Sequence, residues 1–261
     1  MTSVMVRIQK NFNLETTHNS LQLEQTSKRL ELTDQRGRLQ SCIDIQYPHR
    51  LIMPNLQVLI SVILFIPPPA KILLLGTAAG SLLHFLRHHL SAQITALDID
   101  EALISQLLKI GVLPQEDERL AYQVADAFEY IQSCDDQFDL ILVDIFSAGQ
   151  SPKWMRVPEH LRHMHRLLRP EGAVAFNLLI GSDTDFSIFY RYLQAIFRQQ
   201  TLSLSMRQLE NTIAFGFSNR LPRRGTDWYL QSAAQLSQQH GIDYLTTLAD
   251  IYAGNPQGVI A

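Results

Sequence analysis

The side chains best suited to hold and transform a small ligand fall where short apolar runs end. Gly76 and Gly80 bracket Thr77-Ala78-Ala79, directly after the run KILLL. Small residues at such a turn let a ligand approach the backbone and leave the N–H groups of a helix start open to it. Asp98, 22 residues after Gly76, closes the run ITALD, with Ile99 beside it. A carboxylate there can accept both hydroxyls of a ribose lying over the strand ends. Asp126 and Ala127 follow the next run, where an acid can meet the amino group of an adenine. Asp144 ends FDLILVD, the place that faces a transferred group in such sheets. Each acid also has a plainer reading as a helix N-cap, and Asp100 could cap as well as Asp98. Four such signals at consecutive strand ends point to a nucleoside site, because ligands of open α/β sheets collect at that edge.

Those positions need strands to carry them. Runs at Lys71–Leu75, Gln93–Leu97, Ala121–Val124, Phe138–Val143 and Ala173–Leu178 alternate with helical stretches near Gly80–Leu90, Glu101–Ile110, Ala127–Gln132 and Pro158–Leu168. This alternation predicts parallel strands joined by right-handed crossovers, and continuous apolar runs suit strands covered on both faces. Leu202–Arg207 and Thr212–Phe217 predict a closing antiparallel hairpin. The expected fold is α/β: a seven-stranded, mostly parallel, doubly wound sheet of the class I methyltransferase-like kind. Residues 1–50 read as a small N-terminal β-hairpin appendage, since Leu39, Ser41, Ile43 and Ile45 alternate with polar neighbours. Residues 51–220 form the α/β domain, and 221–261 a tail with a helix at Asp227–Gln239 and a disordered end.

Composition narrows the classes. The chain has 261 residues, a formal charge of −3, 46% hydrophobic and 18% charged residues, which excludes general disorder. Near-neutral charge argues against a nucleic-acid partner. Two cysteines, Cys42 and Cys134, cannot form a disulfide framework, so a reducing cytoplasm is the expected location. Leu51–Ile66 is interrupted by Pro54, Asn55 and Gln57 and is too short for the roughly 20 residues of a bilayer span. It reads as a buried helix, and no membrane partner is expected.

The residues as they stand carry a family resemblance. The stretch from QSCIDIQYPHRLIMPNLQ to PPPAKILLLGTAAGSL, then ITALDID, VADAFEYI, FDLILVDIFSAGQSP, LLRPEGAVAFNLL and ENTIAFGFS, resembles the bacterial spermidine synthase-like proteins, a branch of the polyamine aminopropyltransferases. It covers roughly Leu21 to Asn219. The resemblance implies binding of decarboxylated S-adenosylmethionine, or of S-adenosylmethionine itself, and transfer of a group to a small-molecule acceptor, an amine. Gly76, Thr77 and Gly80 would line the cofactor loop, Asp98 would hold the ribose, Asp126 with Ala127 the adenine, and Ile99 would also bind the cofactor. Asp144 would orient and deprotonate the attacking amine, which is a nucleophile only when neutral.

The chain departs from the family's pattern at three places. Ala79 stands where an Asp usually holds the cofactor amine, Ser147 where a second Asp follows Asp144, and Pro54-Asn55-Leu56 where a Tyr-His-Glu element is usual. Ser147, Asn55 and Trp154 are the acceptor-side candidates. A dication such as putrescine needs several carboxylates to offset its desolvation and should be a poor acceptor. The enzyme alternative is a methyltransferase. The non-enzyme alternative is a degenerate nucleoside-binding or interaction module. His84, His88 and His89, and likewise His160, His163 and His165, lack a well-placed carboxylate or cysteine, so no metal is expected. A homodimer is left open.

Overall fold

The computed structural model describes residues 11–16, 20–146, 149–206, 209–221 and 224–255. The chain begins with an antiparallel meander, β1 (Asn11–Glu15), β2 (Ser20–Gln25), β3 (Arg29–Asp34) and β4 (Leu39–Asp44). Next come α1 (Pro54–Ile60), β5 (Lys71–Leu75), α2 (Ser81–His89), β6 (Gln93–Asp98), α3 (Glu101–Lys109), β7 (Leu120–Val124), α4 (Ala127–Ser133) and β8 (Phe138–Val143). The second half holds α5 (Pro158–Arg166), β9 (Leu168–Leu179), α6 (Asp183–Ile196), β10 (Thr201–Ser205), β11 (Asn211–Phe217), α7 (Thr226–His240) and α8 (Tyr244–Gly254).

Seven strands form one sheet in the order β10-β11-β9-β8-β5-β6-β7. The pairs among β5 to β9 are parallel, and β11 joins both β9 and β10 antiparallel. This is the class I methyltransferase-like order. It reverses between β5 and β8, so a crevice opens at the carboxyl ends of those strands.

Side chains alternate across the sheet and divide the core in two. Ile72 and Leu74 of β5 and Leu140 and Leu142 of β8 pack with α1, α2, α3, α7, α8 and the meander. Leu73, Leu75, Ile141 and Val143 pack with α4, α5 and α6. A meander of this size is marginal in isolation. Here Leu21, Leu23, Leu30 and Leu32 belong to the first apolar cluster, and Ser41 Oγ lies 2.8 Å from Ser81 Oγ at the start of α2. The meander is thereby fastened to the helix that follows the glycine turn.

Several expectations needed correction. The helix anticipated over Leu51–Ile66 spans only Pro54–Ile60 and tightens into a 3₁₀ turn at Ser61–Leu64. Pro54 fits the first helical turn, and Leu51 instead forms a β-bridge with Ile43. Among the described residues no helix is long and apolar enough to cross a membrane. α6 and α8 were not anticipated, and the end of the tail, for which disorder was expected, lies outside the described residues. Asp243 caps α8 through the Thr246 N–H, and His240 Nδ1 lies 2.9 Å from the Tyr244 hydroxyl. His89 and His240 meet with ring centroids 4.6 Å apart, and burial pushes His89 down to about 4.

The sheet's centre imposes one demand on sequence. Gly76 has φ +92°, and a Cβ there would overlap the carbonyl oxygen of Asp144 on the neighbouring strand. Gly76→Ala should therefore destabilise the fold by about 2–4 kcal/mol, seen as a lower urea midpoint at unchanged slope. An unaltered midpoint would mean that the β5 and β8 ends do not approach this closely.

Candidate active site

A cavity of about 450 Å³ opens at the carboxyl ends of β5, β6, β7 and β8. Of the residues singled out in the sequence, Gly76, Asp98, Ile99, Asp126, Ala127, Asp144 and Trp154 line it. Asp100 and Ala78 add to the wall, and Leu21, Leu32 and Gln40 of the meander close it from the other side.

The glycine turn and Asp98 form one hydrogen-bonded unit. Gly76 N–H donates to the Leu97 carbonyl at 2.8 Å. Thr77 donates both its N–H and its hydroxyl to Asp98 Oδ2, each at 2.9 Å, and the Asp100 N–H reaches Asp98 Oδ1 at 3.1 Å. A carboxylate has about four acceptor sites, so three are already engaged and Oδ1 keeps one. Pairing with two ribose hydroxyls at once, as the sequence suggested, would require the Thr77 hydroxyl to move aside. Thr77 itself does not line the cavity; its hydroxyl is spent in setting the angle of Asp98.

Gly80 likewise stands away from the cavity wall. It caps α2 in the left-handed conformation, and a Cβ on it would meet Leu113 Cδ2 at 2.6 Å. Its need for glycine comes from packing against the segment after α3. Asp100 caps α3 through the Leu103 N–H at 3.0 Å, and Asp126 caps α4 through the Phe128 N–H at 2.7 Å. Both capping acids also face the cavity, so the plainer reading and the ligand-facing one coexist in the same residues. Ile99 is 44% exposed at the cavity rim, a bare apolar surface beside Asp98.

On the acceptor side, Asn55 is buried in α1, which packs on β9 and β11, and it is not among the cavity-lining residues. Its Oδ1 has no hydrogen-bond partner within the described structure. Trp154 lies in the 3₁₀ turn Lys153–Arg156, with its ring 6.1 Å from that of Phe128. Ser147 falls outside the described residues. Ala79, at the position of the missing acid, is fully buried.

Asp144 differs from the other acids. Among the described residues its carboxyl takes one hydrogen bond, from Asn177 Nδ2 at 2.8 Å, and no backbone N–H caps it. Burial pushes its carboxyl up to about 6, and the Asn177 bond pulls in the opposite direction. Asn177 was missed in the sequence. A polar side chain inside the run AVAFNLL was the available signal, since buried amides occur where a partner awaits them. Among the described residues, no cluster of His, Cys, Asp or Glu could hold a metal ion.

Residues 57–177 match the family described as Spermine/spermidine synthase domain. That match spans just under half of the chain. It is 26% identical over 220 residues to a polyamine aminopropyltransferase of Neisseria meningitidis serogroup A, covering 84% of this chain and 83% of that protein. In three dimensions it resembles a probable spermidine synthase from Corynebacterium glutamicum, with a TM-score of 0.72 at 18% identity, over 94% of this chain and 95% of that one. A spermidine synthase in complex with the transition state analogue AdoDATO aligns with a TM-score of 0.68 at 14% identity, over 92% and 83% of the two chains. The structural likenesses speak to the fold. The sequence matches identify a transferase enzyme.

The raised Asp144 carboxyl gives a test within the site. A carboxyl whose folded value lies above its unfolded one favours folding most below the unfolded value, near 3.8. That favour disappears as pH rises through about 6. At pH 8 the fold bears a half-buried negative charge, which Asp144→Asn removes while keeping the shape. The variant should be more stable than the parent at pH 8 by about 1–3 kcal/mol, a rise of several degrees in Tm, and the gain should shrink toward pH 4. Lower stability at pH 8 would assign Asp144 a capping role instead.

Proposed function

We propose that this protein transfers the aminopropyl group of decarboxylated S-adenosylmethionine to an amine held at Asp144. The observation that carries this reading is the charge of the cavity. Asp98, Asp100, Asp126 and Asp144 face it, and among the described residues its wall has no Lys, Arg or His. Such a wall suits a ligand with a sulfonium and an ammonium. S-adenosylmethionine would bring its own carboxylate into the same space with no cation to receive it, a like-charge arrangement that opposes binding. The names of the related proteins and the analogue bound by one structural neighbour support the same ligand class.

The chain's own residues then have distinct tasks. Asp98 accepts a ribose hydroxyl at its remaining site on Oδ1, and Thr77 keeps its carboxylate in place. Asp126 and Ile99 border the base. Asp144 accepts the proton that the acceptor nitrogen sheds as the new C–N bond forms. The carbon–sulfur bond breaks in the same step, and the bond's electron pair leaves with the sulfur of methylthioadenosine. A carboxyl near 6 is mostly ionised at neutral pH and so is ready to take that proton.

Calorimetry with the two forms of the donor tests this. Decarboxylated S-adenosylmethionine should bind at least tenfold more tightly than S-adenosylmethionine, a difference of about 1.4 kcal/mol. Asp98→Ala should weaken it about tenfold, by the loss of one charge-assisted hydrogen bond. Tighter binding of S-adenosylmethionine would favour methyl transfer. Binding of neither would leave a non-catalytic module.

A further inference from the structure

We propose that Asn177, braced by Asn211, is a positioning residue that holds the Asp144 carboxylate ready to accept a proton. This rests on the functional reading above but has consequences of its own. Asn177 lies in the middle of the seven-stranded sheet and is fully buried. Its neighbours in β9 on the same face, Ala173 and Ala175, are apolar and fully buried, as are Ile213 and Phe215 of β11. An amide placed there is costly unless both of its ends are satisfied.

Both ends are satisfied, in a directed chain. Asn211 Nδ2 donates to Asn177 Oδ1 at 2.9 Å, and Asn177 Nδ2 donates to Asp144 Oδ1 at 2.8 Å. The chain crosses the sheet from β11 to β9 to the end of β8. The strand registers make it close, with Asn177 opposite Ile213 and Phe176 opposite Val143. With its carbonyl taken by Asn211, Asn177 can present only its N–H group to Asp144. Reversing that amide would set carbonyl against carboxylate and amine against amine. Asp144 Oδ1 is thus held by a donor, and Oδ2 is left to take the proton.

A donor of this kind favours the ionised acid, opposing the burial that favours the protonated one. Other charges do not provide that balance. The groups facing the cavity with Asp144 are the carboxylates of Asp98, Asp100 and Asp126, and among the described residues no cation lines it. The amide pair from β9 and β11 is what keeps a half-buried acid usable as a base near neutral pH. Asn177 is not among the cavity-lining residues, so it acts through Asp144 and not on the ligand.

Asn177→Leu, Asn211→Leu and Asp144→Asn, singly and combined, test this by two readouts. In Asn177→Leu the acid limb of the kcat/KM profile should move up by about one pH unit, with the donor's KM nearly unchanged. Asn211→Leu should move it in the same direction by less. The second readout needs no turnover. The hydrogen bond is about twice as strong while Asp144 is ionised, so the fall in Tm caused by Asn177→Leu should be clearly larger at pH 8 than at pH 4.5. That pH dependence should vanish in the Asp144→Asn background. An equal Tm loss at both pH values, or an acid limb that stays in place, would overturn the proposal. If the unaltered protein turned over no amine, the functional reading would fail, and the role of Asn177 would be decided by the Tm comparison alone.

Discussion

A half-buried carboxylate at the end of a central strand is the constraint around which this site is organised. Asp144 lies where β8 passes β5, so close that Gly76 can carry no Cβ. The close passage brings the glycine turn and the acid into one cavity. Asp144 is half-buried there, and its desolvation raises its carboxyl toward neutrality.

The other acids are managed differently. Asp98, Asp100 and Asp126 each accept N–H groups at strand ends or helix starts, so their charges are satisfied by the fold before any ligand arrives. Among the described residues Asp144 has only an amide. Two carboxylate environments thus share one cavity, one preorganised for binding and one left responsive to a proton. That contrast is what acid–base assignments rest on when several acids line a single site.

The strand-end aspartates were legible because each closes an apolar run, and a parallel sheet collects such ends along one edge. The alternation of strands and helices was legible in the same runs. α6 escaped because aromatic residues such as Phe186, Phe189 and Tyr190 blur the line between a helix face and an apolar run. α8 escaped because no strongly polar face marks it. The parts of the site that escaped all depend on pairing across the fold. Thr77 looked like a ligand contact, whereas its hydroxyl is committed to Asp98. Gly80 looked like part of the loop floor, whereas Leu113 explains it. The wall supplied by Leu21, Leu32 and Gln40 depends on how the meander folds back over the sheet, and local pattern carries no trace of that.

The fold holds Asp144 as an acid that changes charge near neutral pH. Its titration can be followed directly by NMR on protein carrying ¹³C-carboxyl aspartate, with the resonance assigned by its loss in Asp144→Asn. The account predicts a midpoint near 6, well above the 3.8 of an unperturbed aspartate. A midpoint near 3.8 would show a solvated carboxylate and contradict it.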